Sequence, residues 1–587
     1  MLIHHSRNTA QKQWDETLVL VLGGFSRLLR SFLPSLCQLN SFSSGWDFLL
    51  RLLKDSILAG NKEVAIATIG CLQSAINFPT VKGNMPLPFV CSLLTAYDNA
   101  MQMSPSNSKN SKDRVKQEIL RGLGELYVQS QIMFTSQMFT QLLSIIDLSI
   151  REQILYADNS ELEFDHIPQL LRTVLDVLPL MRPAKHISSM WANLFRLLLQ
   201  YLPQSDSLTN DNDEACSTDA AISSLDLEEN TKTWSETKDT HADTLEKSSG
   251  SSPITPPSNN TVASVTPSNL FSAKLLPVIV DLFMQAPAAE KHAVCPDIIR
   301  CLGRCMTTRR DNPDGVLWRV AAENVNRFLV GIIGKVLSNS EPEPKIKAAR
   351  FGIWKEVAEV YEIFLVGYCG RPIPSNSLSS GALKADEALE MTILSVLADK
   401  ILKETTDAPH QILQRLIYTI DTCASRTCTL PIHSVELMPY HCGRFSLTCL
   451  QKLFSLCSVN EEDSDWSGTR LEVSKIAIGV TVRRCQYIFD RFLIDENSLN
   501  GRPFPARRLE EMDFVLRELS LLQLHEETAS ALSLNPCVRG THQRRSHLLS
   551  LFPSLCELVV TREDTVREMV QILLKLIAAE LALHRLT

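Results

Sequence analysis

Apolar residues recur at helical spacing along almost the whole chain, from about Trp14 to Leu202 and again from about Leu270 to Leu586, and the pattern breaks once, between Gln204 and Asn269. A period near 3.6 gives each helix one apolar stripe, which must be buried against neighbours. Ile167, Leu171, Val174, Leu175 and Leu178 form such a stripe, with Asp165 placed to cap it and Pro168 tolerated in the first turn. Ile346, Ile353, Val357, Val360 and Phe364 form another, and Gly370 followed by Pro372 supplies its stop. Near the C-terminus Val566, Met569, Val570, Leu573, Leu574 and Ile577 share a face opposite Arg567, Glu568, Gln571 and Lys575. Thr561 and Asp564 stand ahead of it at capping-box spacing.

The stripes predict about eight helices before the break and about ten after it, joined by short polar turns. Aromatic residues are only 6% of the chain, hydrophobic residues 44%, and glycines number 22, a balance suited to Leu-rich helix packing rather than to sheets. At 587 residues the chain exceeds what one globular core can hold. Consecutive helices with short connections pack as antiparallel pairs, and stacked pairs make an α-solenoid of the HEAT or armadillo type. The expected fold is therefore all-α, in two blocks, residues 1–203 and 270–587, with degenerate repeats. The alternative is a set of irregular helical domains.

The break is expected to be a disordered acidic linker over residues 204–269. That stretch is rich in Ser, Thr and Pro and holds twelve Asp or Glu against three Lys, a net of −9, whereas the whole chain carries −8. Such a composition cannot bury enough apolar surface to offset its ordering entropy. Ser252, Thr255 and Thr266 each precede a proline and would suit a proline-directed kinase, or are plain spacer. Ile222, Leu225, Leu227 and Trp234 are unusual in such a polar stretch and offer a short docking motif. The helical blocks together sit near +1, which gives no broad positive field for nucleic acid.

Four common catalytic signatures are missing: a Gly-rich phosphate loop ending in Gly-Lys-Ser/Thr, a dinucleotide fingerprint, a Gly-x-Ser-x-Gly elbow and a His-Glu-x-x-His pair. The chain is expected not to be an enzyme, with no catalytic, cofactor-binding or metal residues and no cofactor. The nearest thing to a zinc set is His292, Cys295, Cys301 and Cys305, but Cys301 and Cys305 lie one turn apart on a helix that also buries Ile298, Ile299 and Leu302. Cys423 with Cys428, and His441 with Cys442 and Cys449, are weaker still. The sixteen cysteines are spread singly on helix faces, as small core residues in a reducing compartment would be. With no run of about 18 uninterrupted apolar residues, the chain is expected to be cytoplasmic or only peripheral on a membrane. The pairs Arg309–Arg310, Arg483–Arg484 and Arg544–Arg545 are solvated faces or contacts for anionic lipid or an acidic partner.

Two regions carry a resemblance. The opening, Trp14-Asp-Glu-Thr-Leu-Val-Leu-Val-Leu-Gly-Gly, Trp46-Asp-Phe-Leu-Leu and Asn61-Lys-Glu-Val-Ala, is similar to a helical repeat of large Sec7-type Arf exchange factors and their relatives. His441-Cys-Gly-Arg-Phe-Ser-Leu-Thr-Cys-Leu, Arg491-Phe-Leu-Ile-Asp-Glu, Arg508-Leu-Glu-Glu and Arg545-Ser-His-Leu-Leu-Ser-Leu-Phe-Pro-Ser-Leu-Cys-Glu-Leu-Val resemble the C-terminal region of the Mon-two (monensin-sensitivity) family. That resemblance implies a non-catalytic scaffold, lacking the Sec7 domain, in vesicle-mediated transport and endosome-to-Golgi recycling. It implies a peripheral place on trans-Golgi network and endosome membranes. The implied partners are a Dopey-type protein, a lipid flippase and an Arf-family GTPase. The chain starts almost directly on a repeat helix and looks like a C-terminal fragment or shortened product. The alternative readings are a regulatory subunit or fragment of an Arf-GTPase exchange factor and an importin-like carrier.

Overall fold

A computed structural model describes residues 2–59, 61–76, 86–103, 109–157, 167–204, 269–312, 315–332, 344–372, 380–404, 408–458, 468–532 and 543–580. The expected disordered linker, with its kinase sites and apolar cluster, falls outside the described residues except at its two ends, and so does Asp165.

Every regular element is helical, and no strand occurs among the described residues. Before the break come α1 (Leu2–Leu36), α2 (Phe42–Leu58), α3 (Lys62–Ile76), α4 (Leu87–Gln102), α5 (Lys109–Ser130), α6 (Ser136–Ala157), α7 (Gln169–Val177) and α8 (Met190–Leu199). After it come α9 (Asn269–Gln285), α10 (Ala288–Thr307), α11 (Val316–Ile332), α12 (Pro344–Tyr361), α13 (Ser380–Ser395) and α14 (His410–Ala424). The remainder are α15 (Arg426–Thr429), α16 (Ile432–Leu437), α17 (Tyr440–Cys457), α18 (Gly468–Leu499), α19 (Ala506–Leu521), α20 (Glu526–Ser530), α21 (Ser546–Glu557) and α22 (Asp564–Glu580). α15, α16 and α20 have 4, 6 and 5 residues, too short to show a stripe, which is why the sequence undercounts this half.

Proline punctuates the array. α4, α7, α10, α14, α16, α17 and α19 each start directly after a proline, whose ψ of 132–147° is extended and whose carbonyl accepts an early helical N–H. A proline there gives up no needed donor and fixes φ at the turn. Gly370 ends the helical run that α12 begins, at φ +58°, and a Cβ there would lie 2.5 Å from the Phe445 ring. Its N–H donates to Glu390 at 2.8 Å. The stripes are buried as their spacing predicts: Leu171, Val174 and Leu178, then Ile353, Val357, Val360 and Phe364, then Val566, Val570, Leu573 and Ile577. At the last of these, the Thr561 hydroxyl accepts the Glu563 N–H at 3.3 Å, and Asp564 pairs with Arg567 instead of completing a capping box.

With the short α15, α16 and α20 set aside, the helices stack in two rows, each packing on the helix two places earlier. One row runs α1, α3, α5, α7, α9, α11, α13, α17, α19, α22, and the other α2, α4, α6, α8, α10, α12, α14, α18, α21. Helix-on-helix stacking of antiparallel pairs in two layers is the HEAT and armadillo arrangement. Two π-helical turns, Glu362–Val366 after α12 and Val396–Leu402 after α13, interrupt it. The wider turn of the first exposes carbonyls that Arg426 takes up, Leu365 at 2.8 Å and Val366 at 3.0 Å, together with Cys369.

The rows do not stop at the break. α7 packs on α9 and α8 on α10, Phe195 meets Phe283 edge-on at 6.1 Å, and Phe283 meets Phe328 at 4.6 Å. The buried Ser272 hydroxyl donates to the Tyr201 carbonyl at 2.9 Å. The described helices on both sides form one compact unit. Cutting the chain at a protease site engineered between residues 220 and 230 should therefore leave two fragments that co-elute and melt together; fragments that separate without denaturant would show that this seam does not hold.

Candidate functional site

The cysteine and histidine candidates do not converge. Cys295 and Cys305 on α10 are fully buried and Cys301 nearly so, and burial pushes all three thiols up, away from the thiolate that a metal needs. His292, on the same helix, is held below its ordinary value by burial first and by Arg350 second. Cys428 donates to the Ser425 carbonyl at 3.1 Å and is pushed up to about 12 by burial. Cys423 instead shares a hydrogen bond with Cys449 from α17, which lowers its value, and takes an Arg426 N–H at 3.4 Å. Cys442 lies 3.2 Å from His441 Nε2, which also approaches the Arg371 carbonyl. Among the described residues no group of three or more His, Cys, Asp or Glu is arranged to hold a metal ion.

The basic pairs divide in a way the sequence did not show. Arg309 is buried, ion-paired to Glu390 at 2.6 Å and stacked 4.3 Å over Trp318, while Arg310 is exposed. Arg484 makes a two-pronged pair with Asp421, both contacts 2.8 Å, while Arg483 reaches the Tyr418 hydroxyl at 3.0 Å. Arg544 is exposed and Arg545 half-buried. Half of the first two pairs is therefore internal structure and unavailable to lipid. Arg508 on α19 is a further internal group. It donates to the Thr427 and Leu430 carbonyls at 2.8 and 3.0 Å and lies within 3.0 Å of Asp495 and 3.3 Å of Glu511. Only the i, i+3 spacing of Arg508 and Glu511 hints at this cluster, and that spacing reads equally well as a solvated pair.

What the surface offers is grooves between stacked helices. One of about 400 Å³ lies between α2 and α4, floored by Leu50, Cys91, Ala96 and Met103, with exposed Arg51 and Lys54 beside it. Another, of about 370 Å³, joins α7 to α9 through Leu175, Leu270, Arg172 and Lys274. A cleft of about 70 Å³ between α17 and α19 sets Arg507 5.4 Å over the exposed Tyr440 ring. The first is a shallow apolar floor beside cations, the chemistry of peptide docking, whereas the second also carries Asp176 and the third Glu510 and Glu511. In α1 the stretch Ala10–Leu36 is long and apolar enough to cross a membrane by length and composition, although Arg27 and Arg30 interrupt it.

A family model described as the C-terminal region of Mon2 protein matches residues 1–95 and 258–577, more than half of the chain. The chain belongs to the Mon2 family. Curated Mon2-family relatives match along nearly its full length. The Mon2 homologue of Drosophila melanogaster is 22% identical over 629 residues, covering 96% of this chain and 35% of the relative. The human homologue is 21% identical over 575 residues, 89% of this chain and 32% of the relative. Monensin-resistant homolog 2 of Caenorhabditis elegans is 20% identical, with 95% and 35% covered. This Mon2-family chain thus spans about a third of the length of the relatives it matches. Solved structures with similarity include yeast importin-β (Kap95p), 10% identical at a TM-score of 0.30 over 92% of this chain and 58% of that one. SYS-1 is 11% identical at a TM-score of 0.28 over 96% and 87%. Likeness at such scores goes no further than the helical class.

Proposed function

We propose that this chain is a non-catalytic scaffold in vesicle-mediated protein transport, serving endosome-to-Golgi recycling from the cytoplasmic face of trans-Golgi network and endosome membranes. The observation that carries this reading is the match of both ends of the helical array to the C-terminal region of Mon2 protein. Two rows of stacked helices with grooves between them suit the work of holding several proteins together. The partners we propose are a Dopey-type protein, a lipid flippase and an Arf-family GTPase, each met through a groove rather than through a reacting group. Membrane attachment is proposed to be peripheral.

The test is proximity labelling in cells with the full chain fused to a biotin ligase. Golgi and endosomal proteins of the cytoplasmic face should dominate the labelled set, and a set drawn from nuclear or mitochondrial proteins would sink the proposal. Purified chain should leave nucleotide exchange on an Arf GTPase at its uncatalysed rate. Acceleration would favour the exchange-factor alternative.

A further inference from the structure

In the second half of the array the connections between the rows join into one continuous edge. Consecutive helices are antiparallel, so every passage from the α2 row to the α1 row lies at the same edge. The contacts link these passages in order. Arg426, after α14, donates to the Leu365 and Val366 carbonyls ahead of the turn that follows α12, and His441 at the start of α17 lies 3.1 Å from the Arg371 carbonyl of that turn. Arg508, at the start of α19, reaches the Thr427 and Leu430 carbonyls, and Arg507 donates to the Tyr440 carbonyl at 3.2 Å. Glu496, near the end of α18, accepts the Arg562 N–H at 2.8 Å from the turn before α22.

Two apolar tips project from this edge. α16 buries Ile432 and Val435 and so holds up Leu437, at 85% the most exposed large hydrophobic side chain among the described residues, with Tyr440 at 69% beside it. Two helices further along the α1 row, about 20 Å away, Val559 and Val560 project before α22, Val560 at 79%. Arg371, Arg444 and Arg502 are exposed on the same edge and Arg507 lies over the Tyr440 ring; none of the four has a carboxylate partner among the described residues. Only Glu436 and Glu510 oppose them around the first tip, while at the second Glu557 and Glu563 offset Arg562, so the positive charge belongs to the first. A peptide needs a groove. These tips stand out from the surface instead, a shape suited to a soft apolar layer that can take both at once. The amphipathic Tyr440 ring suits the headgroup level, and the guanidiniums suit anionic headgroups.

Resting on the peripheral attachment proposed above, we propose that this edge is where the chain meets the membrane. Leu437, Tyr440, Val559 and Val560 enter the headgroup boundary of an anionic bilayer, and Arg371, Arg444, Arg502 and Arg507 meet its headgroup anions.

The purified full chain should co-float with vesicles of phosphatidylcholine and phosphatidylserine in equal parts, and far less with phosphatidylcholine alone or at high salt. Arg444→Gln with Arg502→Gln should weaken partition to the mixed vesicles by about 30-fold, the effect of two cations at an anionic surface. Leu437→Ser with Val560→Ser should weaken it by about tenfold or more through lost apolar insertion. Lys54→Gln with Arg544→Gln removes the same charge away from this edge and should change partition less than about threefold. All six side chains are exposed, so circular dichroism and melting temperature should match the parent. A parent that floats with neither vesicle overturns the proposal, and the labelled set in cells then decides the scaffold reading separately. Edge variants that partition like the parent, or a control pair that loses as much as they do, overturn it too. If the edge variants float normally but no longer label Golgi and endosomal proteins in cells, the edge is a protein contact and the proposal is equally overturned.

Discussion

Replacing Arg508 with Ala should destabilise the second half of the array by about 2–6 kcal/mol, the cost of leaving two carbonyls and a buried carboxyl without their donor. Arg508 is 1% exposed and ties α19 to the carbonyls at the end of α15 and to Asp495 of α18. Asp495 keeps Arg491 at 3.2 Å, so the loss falls mainly on Glu511 and the two carbonyls. Burial already raises Glu511 to about 7 from its ordinary 4.5, with Arg508 pulling in the opposite direction. A carboxyl raised in this way favours the fold fully below its unfolded value, and that contribution is lost as pH rises through the folded one. Without Arg508 the folded value climbs further, so the loss that ends near 7 in the parent continues above it in the variant. The stability gap should therefore stay level below about pH 6.5 and widen by about 1 kcal/mol near pH 8. His547, buried and pushed down to about 4, weakens the fold as pH falls below 6.5, but equally in both proteins, so it cancels from the difference. Arg508→Lys should fall between the two, since an ammonium cannot span two carbonyls and two carboxylates. Urea melts across this pH range measure it, and a gap that narrows above neutrality would refute the assignment.

The contrast between Arg508 and Gly370 shows which parts of the fold were legible in the sequence. Gly370 before Pro372 marks its own role, because the positive φ and the missing Cβ are local requirements. The stripes of α7, α12 and α22 are equally local, and they settle the helical class. Whether a charged residue turns inward is settled elsewhere in the chain. Arg309 and Arg310 are neighbours with the same chemistry, and Arg309 is the buried one because Glu390, far along the sequence on α13, meets it. The same holds for Arg484 with Asp421, and for Cys423, whose neighbour is Cys449 of another helix and not the nearby Cys428. Continuity of the rows from α8 to α9 was hidden for a similar reason, since an acidic stretch between two stripes carries no sign that the stripes meet. The grooves are products of stacking and so belong to no single segment.

Placing a carboxylate at Leu573 should release the end of the array. Leu573 is fully buried, in line with Val566, Val570 and Ile577, and α22 lies mainly on α19 with α21 beside it, so two elements rather than the preceding helix alone receive the stripe. Leu573→Asp forfeits the buried side chain, about 2–5 kcal/mol, and adds the desolvation of an unpaired charge. Among the described helices α22 packs mainly on α19 and α21, so this energy is enough to detach it locally before the rest of the array opens. Detachment would uncover the apolar side of α19 that α22 covers, and such an exposed patch drives aggregation. Lys575→Ala, on the exposed side of the same helix, should change stability by less than about 0.5 kcal/mol, and Leu573→Met by less than about 1.5 kcal/mol. Amide hydrogen exchange resolves the effect. Protection should vanish across residues 564–580, weaken in 506–521 and persist in α1 to α14. Protection of α22 equal to the parent's in Leu573→Asp would mean that its stripe is not what holds the terminal repeat in place.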